Sequence, residues 1–242
     1  MKLGYSSHPG KIRPHNEDFL LIDQLLGLYL VADGVGGAQG GEVASQLAAE
    51  SIQQTIQNGL RESPEPDFSV LLQQAFADAH AAVLSRAEAD QSLTGMATTA
   101  VVGLLTPPKL HIAHIGDSRA YLINSRGIMP LTEDHSYVSQ MVKSGLLSPR
   151  EAQSHSLRHI ITQCLGCPEY QGPDIKNIDL IPGDIVLLCS DGLTDMVPEK
   201  KINKVVRRRS DYLQEAADKL VTLANKNGGR DNISVILLVP DY

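Results

Sequence analysis

Residues 28–45 read LYLVADGVGGAQGGEVAS, and no other stretch constrains the chain as much. It begins as an apolar run, Leu28 to Ala32, with the length and composition of a buried strand. Asp33 and Gly34 follow. Beyond a glycine-rich turn the apolar residues fall at Val43, Ala44, Leu47, Ala48, Ile52 and Ile56, which is helical spacing. A carboxylate ending a buried strand, beside a residue with no side chain, suits a hard cation. The carboxylate supplies charge, and Gly34 lets a backbone carbonyl approach as a second oxygen ligand. Taken alone, Asp-Gly after an apolar run is usually a turn. The glycines do not build a nucleotide cradle. Gly36 and Gly41 have phosphate-loop spacing, but Glu42 stands where that motif needs lysine, and Gln39 where the dinucleotide pattern needs its last glycine.

What raises the metal reading is recurrence. Gly116-Asp117-Ser118-Arg119 lies between two apolar runs, Ser190-Asp191-Gly192 ends another, and Arg230-Asp231-Asn232 opens the last. Asp18 closes the loop KIRPHNED, in which two cations, Lys11 and Arg13, precede the two carboxylates Glu17 and Asp18. If the strand ends meet, the pocket holds an excess of negative charge that needs cations to persist. Oxygen-only ligation selects magnesium or manganese over zinc. Two such ions sharing one aspartate would activate a water and neutralise a phosphoryl group during in-line displacement. Arg13 would grip the phosphate oxygens with its planar fork. No Cys-x5-Arg loop or Gly-x-Ser-x-Gly elbow is present, so the expected nucleophile is a water rather than a side chain.

The remaining elements follow from periodicity. Phe19 to Ile22 is expected to pair with Gly27 to Ala32, and the first helix to run from Glu42 to near Gly59. A second helix carries Leu72, Ala75, Phe76, Ala79, Val83 and Ala87. Thr98–Leu105, Leu110–Ile115, Arg119–Ile123 and Ile128–Leu131 read as strands. Their short gaps predict antiparallel neighbours. Ile175–Ile181 and Asp184–Cys189 are expected to form a further pair around Pro182-Gly183. A last helix has its stripe on Leu213, Ala216, Ala217, Leu220, Val221 and Ala224, before a final strand Ile233–Val239. Between them, residues 134–167 look like an inserted, polar, helical lobe with a capping box at Ser148, Pro149 and Glu151. Its His135, His155, Arg158 and His159 could contact substrate, although a surface or structural role is commoner for such residues. The basic stretch Lys200–Arg209 reads as a solvated helical face.

The length, 242 residues, fits one large domain. A net charge of −7, 4% aromatic content and no tryptophan weigh against a general nucleic-acid binder. No run has membrane-spanning length, and the N-terminus lacks a signal-peptide core. Three cysteines cannot all pair, and Cys189 lies in an apolar run, so a reducing, cytoplasmic setting is expected. Cys164 and Cys167 form one Cys-x-x-Cys without the second pair that a zinc site requires.

The ordered set of motifs is specific. Arg13 with Asn16-Glu17-Asp18, VADGVGG, ATTAV, HIGDSRAY, LTEDHS, LLCSDGLTD and GGRDNISVILL resembles the metal-dependent serine/threonine protein phosphatases of type 2C, as a stand-alone bacterial-type domain covering nearly the whole chain. The resemblance implies an α+β fold, a four-layer α/β/β/α sandwich of two antiparallel sheets with a flap. It implies that Asp33 bridges two manganese or magnesium ions, that Asp191 and Asp231 complete one site, and that the Gly34 carbonyl completes the other. Asp18 and Glu17 would act mainly through bound waters, Asp117 with Asp191 would hold a third ion, and Arg13 would bind phosphate. The implied substrate is a phosphoprotein and the implied state a monomer. Val35 and Ala38 depart from the methionine and histidine of many bacterial relatives, so no role for histidine there carries over. The alternatives are a non-catalytic binding module on this fold and a small-metabolite phosphatase.

Overall fold

The computed structural model describes residues 1–35, 40–152 and 155–240. Side chains alternate faces along a strand, and here alternate residues enter different cores. In β3 (Leu28–Val35), Leu28, Leu30 and Ala32 point towards the helices α1 (Gly40–Glu62) and α2 (Phe68–Ala89). Tyr29 and Val31 point the other way, into a core shared between two sheets. The last strand, β11 (Ile233–Val239), does the same. Its Val235 and Leu237 pack under the helices α6 (Glu199–Arg208) and α7 (Leu213–Lys226), and its Ile236 and Leu238 enter the inter-sheet core. Three cores therefore separate four layers, helices on both outsides and two sheets within.

One sheet runs β2 (Asp18–Asp23), β3, β5 (Ala100–Thr106), β6 (Lys109–Ile115) and β9 (Asp174–Asp179), with the short β4 (Ala97–Thr98) also on β3. The other runs β1 (Lys2–His8), β11, β10 (Ile185–Cys189), β7 (Arg119–Asn124) and β8 (Gly127–Pro130). Every pairing is antiparallel. The expected α/β/β/α sandwich is the observed fold, and the α7 stripe is buried at all six expected positions. On α6, Ile202, Val205 and Val206 are buried while Lys200, Lys201, Lys204, Arg207 and Arg208 face solvent. The basic stretch is a solvated face.

Two expected strand pairs are corrected. β6 and β7 are consecutive but lie in different sheets, and so do β9 and β10. A gap of a few residues permits a hairpin without requiring one. At both corners a glycine in the left-handed region, Gly116 at φ +94° and Gly183 at φ +93°, turns the chain from one sheet into the other. The first corner places Asp117 at the seam between the sheets. Strand β1 escaped the sequence reading because KLGYSSH has no apolar run. It forms by pairing along β11, and its Gly4 lies against the Leu213 backbone, where a Cβ would collide.

The inserted lobe holds α3 (Tyr137–Lys143), capped by Ser136, and α4 (Pro149–Ala152), entered through the expected capping box. There the Glu151 carboxylate accepts from Ser148 N at 2.8 Å and from its hydroxyl at 2.6 Å. Among the described residues, the rest of the lobe is turns and loop with isolated bridges at Ser136, Ile161 and Leu165. Its base is a short ladder in which Tyr137 N donates to Ile160 O at 2.9 Å and Thr162 N to His135 O at 2.8 Å. Cys164 and Cys167 are joined in a disulfide, which leaves Cys189 as the free thiol. Of the two departures from the family pattern, Val35 ends β3 and Ala38 lies outside the described residues, as do Gly36 and Gln39 of the glycine-rich turn.

Candidate metal centre

The sandwich brings strand ends from both sheets together at one edge. Asp18 opens β2 and pairs in register with Asp33 on β3, so two carboxylates stand side by side. Asp191 follows β10 and begins α5 (Asp191–Thr194), Asp231 precedes β11, and Asp117 lies on the crossover from β6 to β7. A cleft of about 550 Å³ opens there, lined by Arg13, Glu17, Asp33, Gly34, Asp117, Asp191 and Asp231. Asp18 sits behind it, 9% exposed.

Backbone and hydroxyl groups hold this cluster in place. Asn232 makes three bonds to the loop between β1 and β2: its Oδ1 accepts from Glu17 N at 2.7 Å, and its Nδ2 donates to Pro9 O at 3.0 Å and His15 O at 2.9 Å. The Asp33 carbonyl accepts from Thr99 N and from the Thr98 hydroxyl, both at 2.9 Å. The Ser190 hydroxyl donates to Asp18 Oδ2 at 2.8 Å and accepts from Ser234 N at 3.0 Å. Gly34 is indispensable for a steric reason, because a Cβ there would strike the Gly41 carbonyl oxygen and lie 2.8 Å from that of Glu17. At the rim, Arg13 Nη2 donates to Asp231 Oδ2 at 2.8 Å, with about half of the Arg13 side chain exposed.

The electrostatics are those of carboxylates lacking counter-charge. Burial pushes Asp33 well above the ordinary range, and the charges of Asp18, Asp191 and Asp117 push it further. Burial and then Asp117 do the same to Asp191. Asp18 rises to about 6, chiefly by burial and against hydrogen bonds from Ser234 and Ser190. Asp117 rises to about 7 through burial and Asp134, with Arg119 opposing. Burial also raises Glu17, against the pull of Arg13. The Oδ1 atoms of Asp18 and Asp191 are buried with no hydrogen-bond partner among the described residues. Such atoms are costly unless something positive reaches them. The donors are all oxygen, and they fit magnesium or manganese.

A pH dependence follows. Folded Asp18 and Asp117 titrate near 6 and 7, above the ordinary 3.8, so between these limits the folded chain keeps protons that the unfolded chain has released. That contribution to stability is complete below the ordinary value and is lost as pH rises through the folded values. Thermal unfolding in chelator should therefore show Tm falling from about pH 5 to about pH 7.5, and manganese should reverse the fall at the upper end. A Tm rising across that interval in chelator would contradict the charge-crowded site.

Of the lobe residues, Arg158 and His159 line the cleft. His135 is structural: buried at 8% exposure, its Nδ1 accepts from Gly116 N at 3.2 Å and its own N donates to Gly116 O at 2.8 Å. His155 caps its own turn, with Nδ1 accepting from Leu157 N at 3.2 Å. Asp195 is an addition that the residue-by-residue reading missed. It lies four residues after Asp191, and its carboxylate, that of Asp191 and a ring nitrogen of His159 lie within 4.8 Å of one another. The spacing by one helical turn was the available signal.

Carboxylates gathered between two antiparallel sheets, with an arginine at the rim, make a site on this α/β/β/α sandwich that suits metal-dependent hydrolysis. The sequence profile of the family described as Protein phosphatase 2C matches residues 14–225. The chain is 33% identical over 245 aligned positions to the serine/threonine phosphatase stp of Listeria monocytogenes, covering 100% of this chain and 96% of the relative. The serine/threonine phosphatase Stp1 of Staphylococcus aureus superposes with a TM-score of 0.90 at 32% identity, covering 100% of this chain and 96% of that one. A structure of the PstP catalytic domain in complex with two manganese ions superposes with a TM-score of 0.86 at 31% identity, covering 98% and 96%. The chain belongs to the protein phosphatase 2C family and is a phosphatase of that type.

Proposed function

We propose that residues 1–242 act as one monomeric, cytoplasmic catalytic domain, with residues 134–167 as its flap, that hydrolyses phosphoserine and phosphothreonine in proteins. The convergence of Asp18, Asp33, Asp117, Asp191 and Asp231, with two buried carboxylate oxygens left without partners, carries the reading. Asp33, Asp191, Asp231 and the carbonyl of Gly34 would hold two manganese or magnesium ions, with Glu17 and Asp18 supporting them. Asp117 with Asp191 would hold a third. Bound there, divalent cations supply the positive charge that activates a water and offsets the charge on the phosphoryl oxygens.

The chain itself supplies position and orientation. Arg13 keeps Asp231 with one nitrogen, and its further N–H donors have no partner among the described residues, which suits a phosphate dianion in the cleft. Arg158 and His159 bring the flap to the same opening, where flanking residues of a protein substrate would pass. Among the described residues no helix is long and apolar enough to cross a membrane. The substrate class is tested by comparing phosphoserine and phosphothreonine peptides with sugar phosphates at saturating manganese. Peptide kcat/KM is expected to be the higher by at least about tenfold, and the reverse order would point to a metabolite phosphatase.

Arg13→Ala should raise KM for a phosphopeptide about tenfold or more with bound metal unchanged, because charge-assisted hydrogen bonds to phosphate are lost. Arg13→Lys should recover only part, since an ammonium cannot reproduce bidentate contact. Parent-like kinetics in Arg13→Ala would return this arginine to a solvated loop.

A further inference from the structure

The root of the flap carries a feature that phosphate hydrolysis does not require. Cys164 and Cys167 are bonded across a tight turn, with Cα atoms 5.4 Å apart, inside the range that a disulfide spans without backbone movement. Cys164 is 6% exposed and Cys167 is partly exposed, so one sulfur is open to an exchange partner and the other is shielded. The turn between them is docked on both sides. Leu165 is fully buried and pairs with Thr98, N to O at 2.9 Å and O to N at 3.0 Å. Gly166 N donates to Nδ1 of His80 on α2 at 3.1 Å, and the His80 ring stacks on Tyr170 at 4.1 Å. Tyr170 N in turn donates to Cys167 O at 3.2 Å. The flap residues that line the cleft, Arg158 and His159, leave this root only a few residues upstream.

We propose that Cys164 and Cys167 are a reversible redox site, exchanging with a low-molecular-weight disulfide, whose oxidised form fastens the flap root. In the oxidation, the Cys167 thiolate attacks R–S–S–R and releases one RS⁻. The Cys164 thiolate then attacks the Cys167 sulfur of the mixed disulfide and releases the second. The protein's two thiols lose two electrons and two protons, and one R–S–S–R becomes two RSH. Isolated cysteine pairs in reducing compartments are characteristically of this exchangeable kind.

Oxidised, the segment leaving at Gln163 is tied both through Leu165 to Thr98 and through Cys167 to the His80–Tyr170 stack. Reduced, it keeps the Leu165 pairing with Thr98 and the Gly166 hydrogen bond to His80, and loses the covalent tie between Cys164 and Cys167. The Asp33 carbonyl accepts from Thr99 N and the Thr98 hydroxyl, and the Thr98–Leu165 pairing is present in both forms, so the metal centre should not respond. The consequence belongs to the flap, and it rests on the phosphatase reading that places protein substrate beside Arg158 and His159.

The test uses the full chain equilibrated across a series of oxidised and reduced glutathione mixtures. Thiols are counted by alkylation under denaturing conditions and mass spectrometry. The expected result is a transition between one free thiol, Cys189, and all three. Reduction should raise KM for a phosphoserine peptide about threefold or more while leaving kcat on an aryl phosphate within about twofold. Cys167→Ser should show the reduced-form KM in every mixture. Three free thiols throughout the series, or equal peptide KM in both forms, would overturn the proposal. Absence of aryl phosphate turnover with manganese would defeat the phosphatase reading instead, and the thiol count would still decide the redox site.

Discussion

Asp33→Asn should reduce phosphatase turnover by at least about a thousandfold at saturating manganese, with the fold retained. The asparagine keeps the shape of the side chain and every backbone contact at this position. The Asp33 carbonyl still accepts from Thr98 and Thr99, and its N still donates to the Thr99 hydroxyl at 3.2 Å. What it loses is the charge on which Asp18, Asp191, Asp117 and Asp231 all press. Metal affinity should fall because a ligand is neutralised. The metal-free variant should be at least as stable as the metal-free parent, because like-charge crowding in a buried site is relieved. The checks are kcat, bound manganese per chain, and Tm in chelator. Near-parental kcat would remove Asp33 from the centre, and a strongly lowered Tm in chelator would make it a structural residue.

Asp117→Ala should separate two substrates. Cleavage of phosphoserine expels an aliphatic alkoxide, a far stronger base than the phenolate released from an aryl phosphate, so the first benefits much more from a positioned proton donor. A third cation site at Asp117 would serve that delivery. This carboxyl lies on the corner between the sheets, outside the Asp18–Asp33 register, with Asp134, Arg119 and Asp195 acting on it and with Asp191 and Asp33 feeling its charge. The variant should keep the two core ions. It should lose about tenfold to a hundredfold more rate on a phosphoserine peptide than on an aryl phosphate. Equal losses on both would leave no acid role for this site. No loss on either would mean that Asp117 only braces the Gly116 corner.

Much of this architecture is readable in the chain because the strands carry strong apolar runs and the helices clean stripes. The α7 positions from Leu213 to Ala224 and the bounds of β11 are examples. The site is legible for a related reason, since aspartates beside glycine at strand ends recur through the sequence. What escaped was decided by tertiary pairing. KLGYSSH is a strand only because β11 offers it an edge. The assignment of β6 and β7 to different sheets turns on a corner at Gly116 that a short gap does not specify. Asn232 reads as an ordinary polar residue, yet it ties the loop carrying Pro9, His15 and Glu17 to the start of β11. The Cys-x-x-Cys spacing could not reveal that its turn docks on Thr98 and His80.

The most direct measurement is phosphate release from a phosphothreonine peptide by one preparation, first stripped of metal and then reconstituted, with bound manganese counted at each step. Negligible turnover is expected without metal, and its recovery should track manganese bound at the carboxylate cluster, with magnesium as a substitute. Undiminished release from chain with no bound metal, or two bound ions with no release from any phosphopeptide, would contradict a metal-dependent protein phosphatase.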